Sequence, residues 1–149
     1  MAVITVDTTV EGMKRNDVLE WLGVPDNHDR ILQGAFDSVE RSGDSQWKLT
    51  LSTFPKKRVL DYTFDRVDTS HAGRRVLCQV GGKRTAGKLH YSLRTPRASR
   101  NTLVTLHYDY DPGAALGALL DQAGLRASLD QAWNAVLTNL LREIYADHT

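Results

Sequence analysis

The residues of this sequence best suited to bond-making or metal ligation are its histidines, its one cysteine and a short row of aspartates. His28, His71, His90, His107 and His148 are scattered, with no HxxxH, HExxH or CxxC spacing. Metal ligation needs converging donors, so no metal site is expected and the histidines read as surface residues. His90 and His107 alternate with apolar neighbours in a way that points them outward. Cys78 has no base near it in sequence and no GxSxG elbow exists, so it reads as a small core or sheet residue rather than a nucleophile. Asp61, Asp65 and Asp68 have nearly strand spacing and read as a solvated face rather than an acidic site. Gly81-Gly82-Lys83-Arg84 and Gly34-Ala35 belong to turns, and nothing resembles a phosphate loop or a dinucleotide signature. Lys83, Arg84, Arg94, Arg97 and Arg100 form a basic rim. Such a rim suits an acidic head group or an anionic membrane surface, with solubility as the plainer role. No catalytic residue emerges, and no cofactor is called for.

The aromatic residues carry more information. Trp21, Trp47, Trp133, Tyr62, Phe64, Tyr91 and Tyr108 all fall at inward positions, with Tyr110 close to joining them. A phenol offers a flat apolar face and one hydroxyl that needs a partner. Any one of these rings fits an ordinary core. Together they exceed what one face of a domain this size requires, which points to a ligand-lined cavity.

These side chains need elements to position them. Residues 2–10 alternate and are rich in Val, Ile and Thr, which predicts a strand with Ile4, Val6 and Val10 inward. Residues 14–22 predict a short helix capped by Asn16 or Asp17, and Pro25-Asp26 opens a second, reaching Leu32. Strands follow at 35–41 and 46–54, then around Leu60-Tyr62-Phe64, Val76-Cys78-Val80, Leu89-Tyr91-Leu93 and Val104-Leu106-Tyr108-Tyr110. Turns fall at 42–44, 55–57, 71–73 and 96–100. Period-two patterning this regular implies an antiparallel meander with one covered face. The chain then reads as one long helix over 111–146, with Asp111 suited to the N-cap and Pro112 to the first turn. Gly117 and Gly124 weaken its first third. Its apolar stripe runs through Leu125, Leu129, Ala132, Val136, Leu140 and Ile144, widened by Trp133, Leu137 and Leu141. That stripe has to be covered, and only the sheet is available to cover it.

The bulk figures set the frame. A chain of 149 residues is expected to form a single domain, residues 1–149, with a real core. A net charge of +1, from 19 basic and 18 acidic residues, leaves no electrostatic footprint for nucleic acid. One cysteine rules out an internal disulfide framework. The first ten residues are too polar for a signal peptide, and no apolar run approaches membrane-spanning length. A soluble, cytoplasmic protein is the expectation, and a homodimer is compatible with it.

The order of strand, two small helices, six-strand meander and long C-terminal helix resembles the START-like, or SRPBCC, superfamily, most of all its polyketide cyclase/dehydrase and lipid-transport group. The resemblance is carried by residues 59–67 (VLDYTFDRV), 86–93 (AGKLHYSL) and 102–112 (TLVTLHYDYDP). After the first strand, Glu11-Gly12-Met13-Lys14-Arg15 stands where the family tends to show Ala-Pro-Pro. The resemblance implies an α+β, helix-grip fold: a curved seven-stranded antiparallel sheet wrapped around the long C-terminal helix. It also implies a cavity between sheet and helix for a hydrophobic small molecule, a lipid, polyketide or aromatic compound. Trp47, Leu49, Tyr62, Phe64, Leu89, Tyr91, Leu106, Tyr108, Trp133, Val136 and Leu140 are the expected lining. A carrier or sensor, a cyclase or aromatase-type enzyme, and a partner-binding module with a filled interior are the competing functions, in that order.

Overall fold

Alternating Val, Ile and Thr make the first strand, β1 (Ala2–Val10), with Ile4, Val6 and Val10 buried as the alternation requires. The computed structural model describes residues 2–52, 57–70, 73–82, 86–111 and 118–148. Phe54, Pro55, Lys56, His71, Ala72, Lys83, Arg84, Pro112 and Gly117, for which turns, strand ends or helix positions are expected, lie outside them.

Gly12, at φ +74°, reverses the chain into α1 (Arg15–Leu22). The N-cap is Lys14, with no side-chain hydrogen bond, and its carbonyl accepts from the N–H groups of Asp17 and Val18 at 3.0 and 3.1 Å. Asn16 and Asp17, expected as caps, therefore sit inside the first turn, where their side chains cannot reach back as a cap does. Pro25 opens α2 (Pro25–Leu32) as expected, since its missing donor costs nothing there.

The remaining strands are β2 (Ser38–Gly43), β3 (Gln46–Ser52), β4 (Lys57–Asp68), β5 (Arg74–Gly81), β6 (Gly87–Arg94) and β7 (Thr102–Tyr110). All pair antiparallel in one seven-stranded open sheet of order β1-β7-β6-β5-β4-β3-β2. β2 begins at Ser38 rather than at residue 35. Phe36 turns inward instead and sets its ring edge-on to Trp133, centroids 5.2 Å apart. A bulge between Phe64 and Arg66 bends β4 and inserts Asp65 as an unpaired residue.

The long helix α3 (Ala118–Asp147) lies against β1 and α2 and reaches β3. Leu125, Leu129, Ala132, Trp133, Val136, Leu137, Leu140 and Ile144 are all buried. Each fully buried Leu or Ile contributes roughly 1.5–3 kcal/mol by leaving water, which fixes this helix to the sheet far more firmly than its own propensity would. Asn139, also buried, donates to the carbonyls of Ile31 and Gln33, both at 3.0 Å, and so pins the end of α2. At the far end of α3, Asp147 accepts from Arg30 at 2.6 Å and from the Trp21 indole at 2.8 Å. One carboxylate thus ties both short helices to the long one.

Candidate functional site

The interior between the sheet and α3 gathers the expected lining residues. Trp47, Leu49, Tyr62, Leu89, Tyr91, Leu106, Tyr108, Trp133, Val136 and Leu140 are all buried, and Phe64 is half-buried against the same core. Register explains the gathering. Trp47 stands opposite Tyr62 across β3 and β4, Leu89 opposite Tyr108 and Tyr91 opposite Leu106 across β6 and β7. Trp133 rises from α3 into this layer, with Tyr108 edge-on at 5.5 Å and Tyr62 tilted at 6.4 Å.

Polar chemistry in this interior centres on a residue that the sequence reading placed at the surface. His28 is fully buried on α2, because helical spacing puts it on the same face as Ile31 and Leu32. That spacing was the signal available for finding it. Its Nε2 lies 2.7 Å from the Leu22 carbonyl, an atom that can only accept, so Nε2 carries the proton. Burial holds the imidazole at a pKa of about 4, so it is neutral at pH 7 and Nδ1 is an acceptor. The Tyr62 hydroxyl, 2.7 Å from Nδ1, therefore donates to it. With its only proton committed to that bond, the Tyr62 oxygen accepts from the Tyr91 hydroxyl at 2.9 Å and from the Cys78 thiol at 3.5 Å. The result is a one-way chain from Tyr91 through Tyr62 and His28 to the Leu22 carbonyl.

Burial raises both phenols well above their ordinary range, with the neighbouring Cys78 adding to it, and pushes the Cys78 thiol up to about 12. All four groups are uncharged at neutral pH. They orient one another, and Cys78 is inert as a nucleophile, in keeping with its reading as a core residue. Rings close the cluster: Phe64 meets His28 edge-on at 5.0 Å, and Trp47 stacks on it at 6.3 Å. The Trp47 indole donates to Asp29 at 2.9 Å, and Tyr108 donates to the Val80 carbonyl at 3.0 Å.

Among the described residues of this aromatic layer, one buried donor is left over. The indole N–H of Trp133 has no hydrogen-bond partner, although the side chain is fully buried. A cleft of about 350 Å³ opens between the end of β3 and α3, lined by Phe36, Leu51, Ser52, Ser128, Ala132 and Ala135 among others. Phe36 both lines that cleft and meets Trp133 edge-on.

The remaining candidates fall elsewhere. His90 and His107 stack on the outer face of the sheet, centroids 5.0 Å apart, as their alternation predicts. Asp61 and Asp65 are exposed, but Asp68 is buried, accepting from Ser70 and from Arg75 at 2.6 Å. The Ser70 bonds and then Arg75 hold its carboxyl well below the usual range, which makes it a structural clasp rather than part of a solvated row. Among the described residues, no group of three His, Cys, Asp or Glu could hold a metal ion. Among them, too, no helix is long and apolar enough to cross a membrane. Arg94 ends β6, and Arg97 and Arg100 lie between β6 and β7.

No family model matches the chain by sequence, and no curated protein does. Its fold is nevertheless shared with solved structures. The protein TTHA0849 of Thermus thermophilus aligns with 99% of this chain and 100% of its own at 12% identity, with a TM-score of 0.68. Norcoclaurine synthase of Thalictrum flavum aligns over 94% and 86% at 17% identity and a TM-score of 0.59. The Zhui aromatase/cyclase of Streptomyces sp. R1128 aligns over 95% and 93% at 20% identity and 0.59. The chain thus shares with these proteins its fold, a seven-stranded antiparallel sheet with two short helices after the first strand and a long C-terminal helix, as its order of elements implies.

Proposed function

We propose that this protein binds a hydrophobic small molecule bearing a neutral hydrogen-bond acceptor, in the interior between sheet and α3, as a carrier or sensor. The unpartnered N–H of Trp133 carries the reading. A buried donor without a partner costs about 1–3 kcal/mol, and a ligand carbonyl would recover it. The cleft at Phe36, a ring that also touches Trp133, is the approach this reading uses, and the aromatic faces of Tyr62 and Tyr108 beside Trp133 would receive the apolar body. The polar groups deeper in, His28, Tyr62 and Tyr91, satisfy one another and hold the rings in place.

A second reading is a cyclase-type enzyme, supported by the fold shared with an aromatase/cyclase and by the Tyr91–Tyr62–His28 chain. General acid–base work would require one of those groups to come within about 3 Å of the substrate.

Native mass spectrometry of protein purified from its own host, with extraction of any bound compound, tests the binding reading directly. Titration with 9-fluorenone and with fluorene, the same tricycle without the carbonyl, tests the role of Trp133. Fluorenone is expected to bind about fivefold tighter, the equivalent of one neutral hydrogen bond. Trp133→Phe should erase that difference while leaving fluorene unchanged. An empty protein that binds neither compound would move the function to partner binding through a filled core.

A further inference from the structure

At the other end of α3 the turn after β1 faces the turn between β6 and β7 across a cleft of about 580 Å³. Lys14, Arg15, Thr95, Ser99, Arg100 and Asn101 line it. Its walls are tied together. The Gly12 N–H donates to Asn101 Oδ1 at 3.0 Å, Thr102 Oγ1 to the Met13 carbonyl at 2.9 Å, and the Glu11 N–H to the Tyr145 hydroxyl at 2.8 Å. Because Asn101 spends its oxygen on Gly12, its amide nitrogen remains as a donor.

The charge on this cleft is one-sided. Several arginines elsewhere are answered, Arg30 by Asp147 and Glu143, Arg41 by Asp26 and Arg75 by Asp68. Among the described residues, Lys14, Arg15 and Arg100 have no such ion pair, and no carboxylate lines the cleft. In a chain whose charges nearly cancel, at 19 basic to 18 acidic, that is a local excess. Like charges held around one concavity repel unless an anion joins them.

We infer that this cleft binds a phosphate-type anion through Lys14, Arg15 and Arg100, with the hydroxyls of Thr95 and Ser99 and the Asn101 amide as further donors. Guanidinium forks match phosphate oxygens two at a time, and the charges suit a multiply charged group better than a single carboxylate. The volume lies in the small-ligand range. Such a group is found on soluble phosphorylated compounds and on phospholipid head groups. The site is separate from the interior and does not rest on the reading proposed for it.

Calorimetric titration with inorganic pyrophosphate at low salt tests the inference. Saturable binding at one site is expected, weakened about tenfold or more in the double variant Lys14→Gln/Arg100→Gln, in which both residues are exposed and the fold is retained. Arg142→Gln, an exposed cation on α3, should leave it unchanged. Flotation with phosphatidylcholine vesicles containing phosphatidylglycerol separates the sources. Capture that depends on Lys14 and Arg100 and is reversed by pyrophosphate identifies a lipid head group; pyrophosphate binding without capture identifies a soluble ligand. The absence of saturable pyrophosphate binding, or an equal loss in Arg142→Gln, would overturn the site.

Discussion

Tyr62 is both donor and acceptor in the buried chain, and Tyr91 only feeds it, so removing the two hydroxyls should have unequal effects. Tyr62→Phe leaves two buried groups without partners, Nδ1 of His28 and the hydroxyl of Tyr91. Each unsatisfied buried group costs about 1–3 kcal/mol, so the change should cost roughly 2–6 kcal/mol in all. Tyr91→Phe removes a single donor from an oxygen that still has its own acceptor and the Cys78 thiol nearby, at a cost of about 1 kcal/mol. In the Tyr62→Phe background the Tyr91 hydroxyl is already stranded. Removing it there should be neutral or slightly stabilising. The double variant should therefore be no less stable than Tyr62→Phe alone, a coupling of at least about 1 kcal/mol. Urea unfolding of the four proteins, with an unchanged dependence on denaturant, measures this. Costs that add across the pair, or a Tyr91→Phe cost equal to that of Tyr62→Phe, would refute the one-way chain.

His28 also gives the fold a pH dependence. Its folded pKa of about 4 lies below the ordinary 6.5, so between those values the unfolded chain binds a proton that the folded one excludes. Its contribution is fully present above about pH 6.5, falls as pH drops towards 4 and levels off below, a loss of roughly 3 kcal/mol. Unfolding midpoints across that window, compared with His28→Gln, should show the slope in the parent and a shallower one in the variant; parallel curves would count against a buried neutral imidazole. Gly87→Ala should cost about 1–3 kcal/mol, because the added carbon would lie 2.7 Å from Tyr108 Cε1 and 2.9 Å from the carbonyl oxygens of Val80 and Asp109. Gly73→Ala, which meets nothing within 4 Å, is the control, and equal unfolding free energies for the two would contradict the packing at the start of β6.

The sheet and the long helix were legible because their signals are periodic and local. Val76-Cys78-Val80 and Leu89-Tyr91-Leu93 alternate without error, and Leu125 to Ile144 keep one helical face, so a purely local rule finds their inward sides. The candidate site was legible as a set of rings but not as a network. His28 is satisfied in the interior by Tyr62, 34 residues away, whose hydroxyl donates to its Nδ1, and nothing local to α2 announces that partner. Its spacing from Ile31 and Leu32 was the available hint, and it competed with the usual exposure of histidine. Phe36 was drawn out of its expected strand by Trp133, a contact across nearly a hundred residues. At Asp68 the strand rule gave way to the β4 bulge three residues earlier and to the clasp with Ser70 and Arg75. The unpartnered N–H of Trp133 is a property of three-dimensional packing and has no sequence signature at all.

The pairing of β1 with β7 has a consequence in time. Ala2 finds its partner in Tyr110 and Val10 in Thr102, whereas β2 to β7 each pair with their neighbours in sequence. On a ribosome adding about 5–20 residues per second, β1 waits roughly 5–20 seconds for its partner, while the meander from β2 onward can close strand by strand. The Gly12–Asn101 tie becomes available only with that last long-range closure, and the Glu11–Tyr145 tie waits longer still, for the end of α3. Loop-closure entropy makes such steps slow. The basic cleft is thus assembled late, after the aromatic layer of β3 to β6 is in place, and the Val- and Thr-rich β1 spends that interval as an unpaired edge.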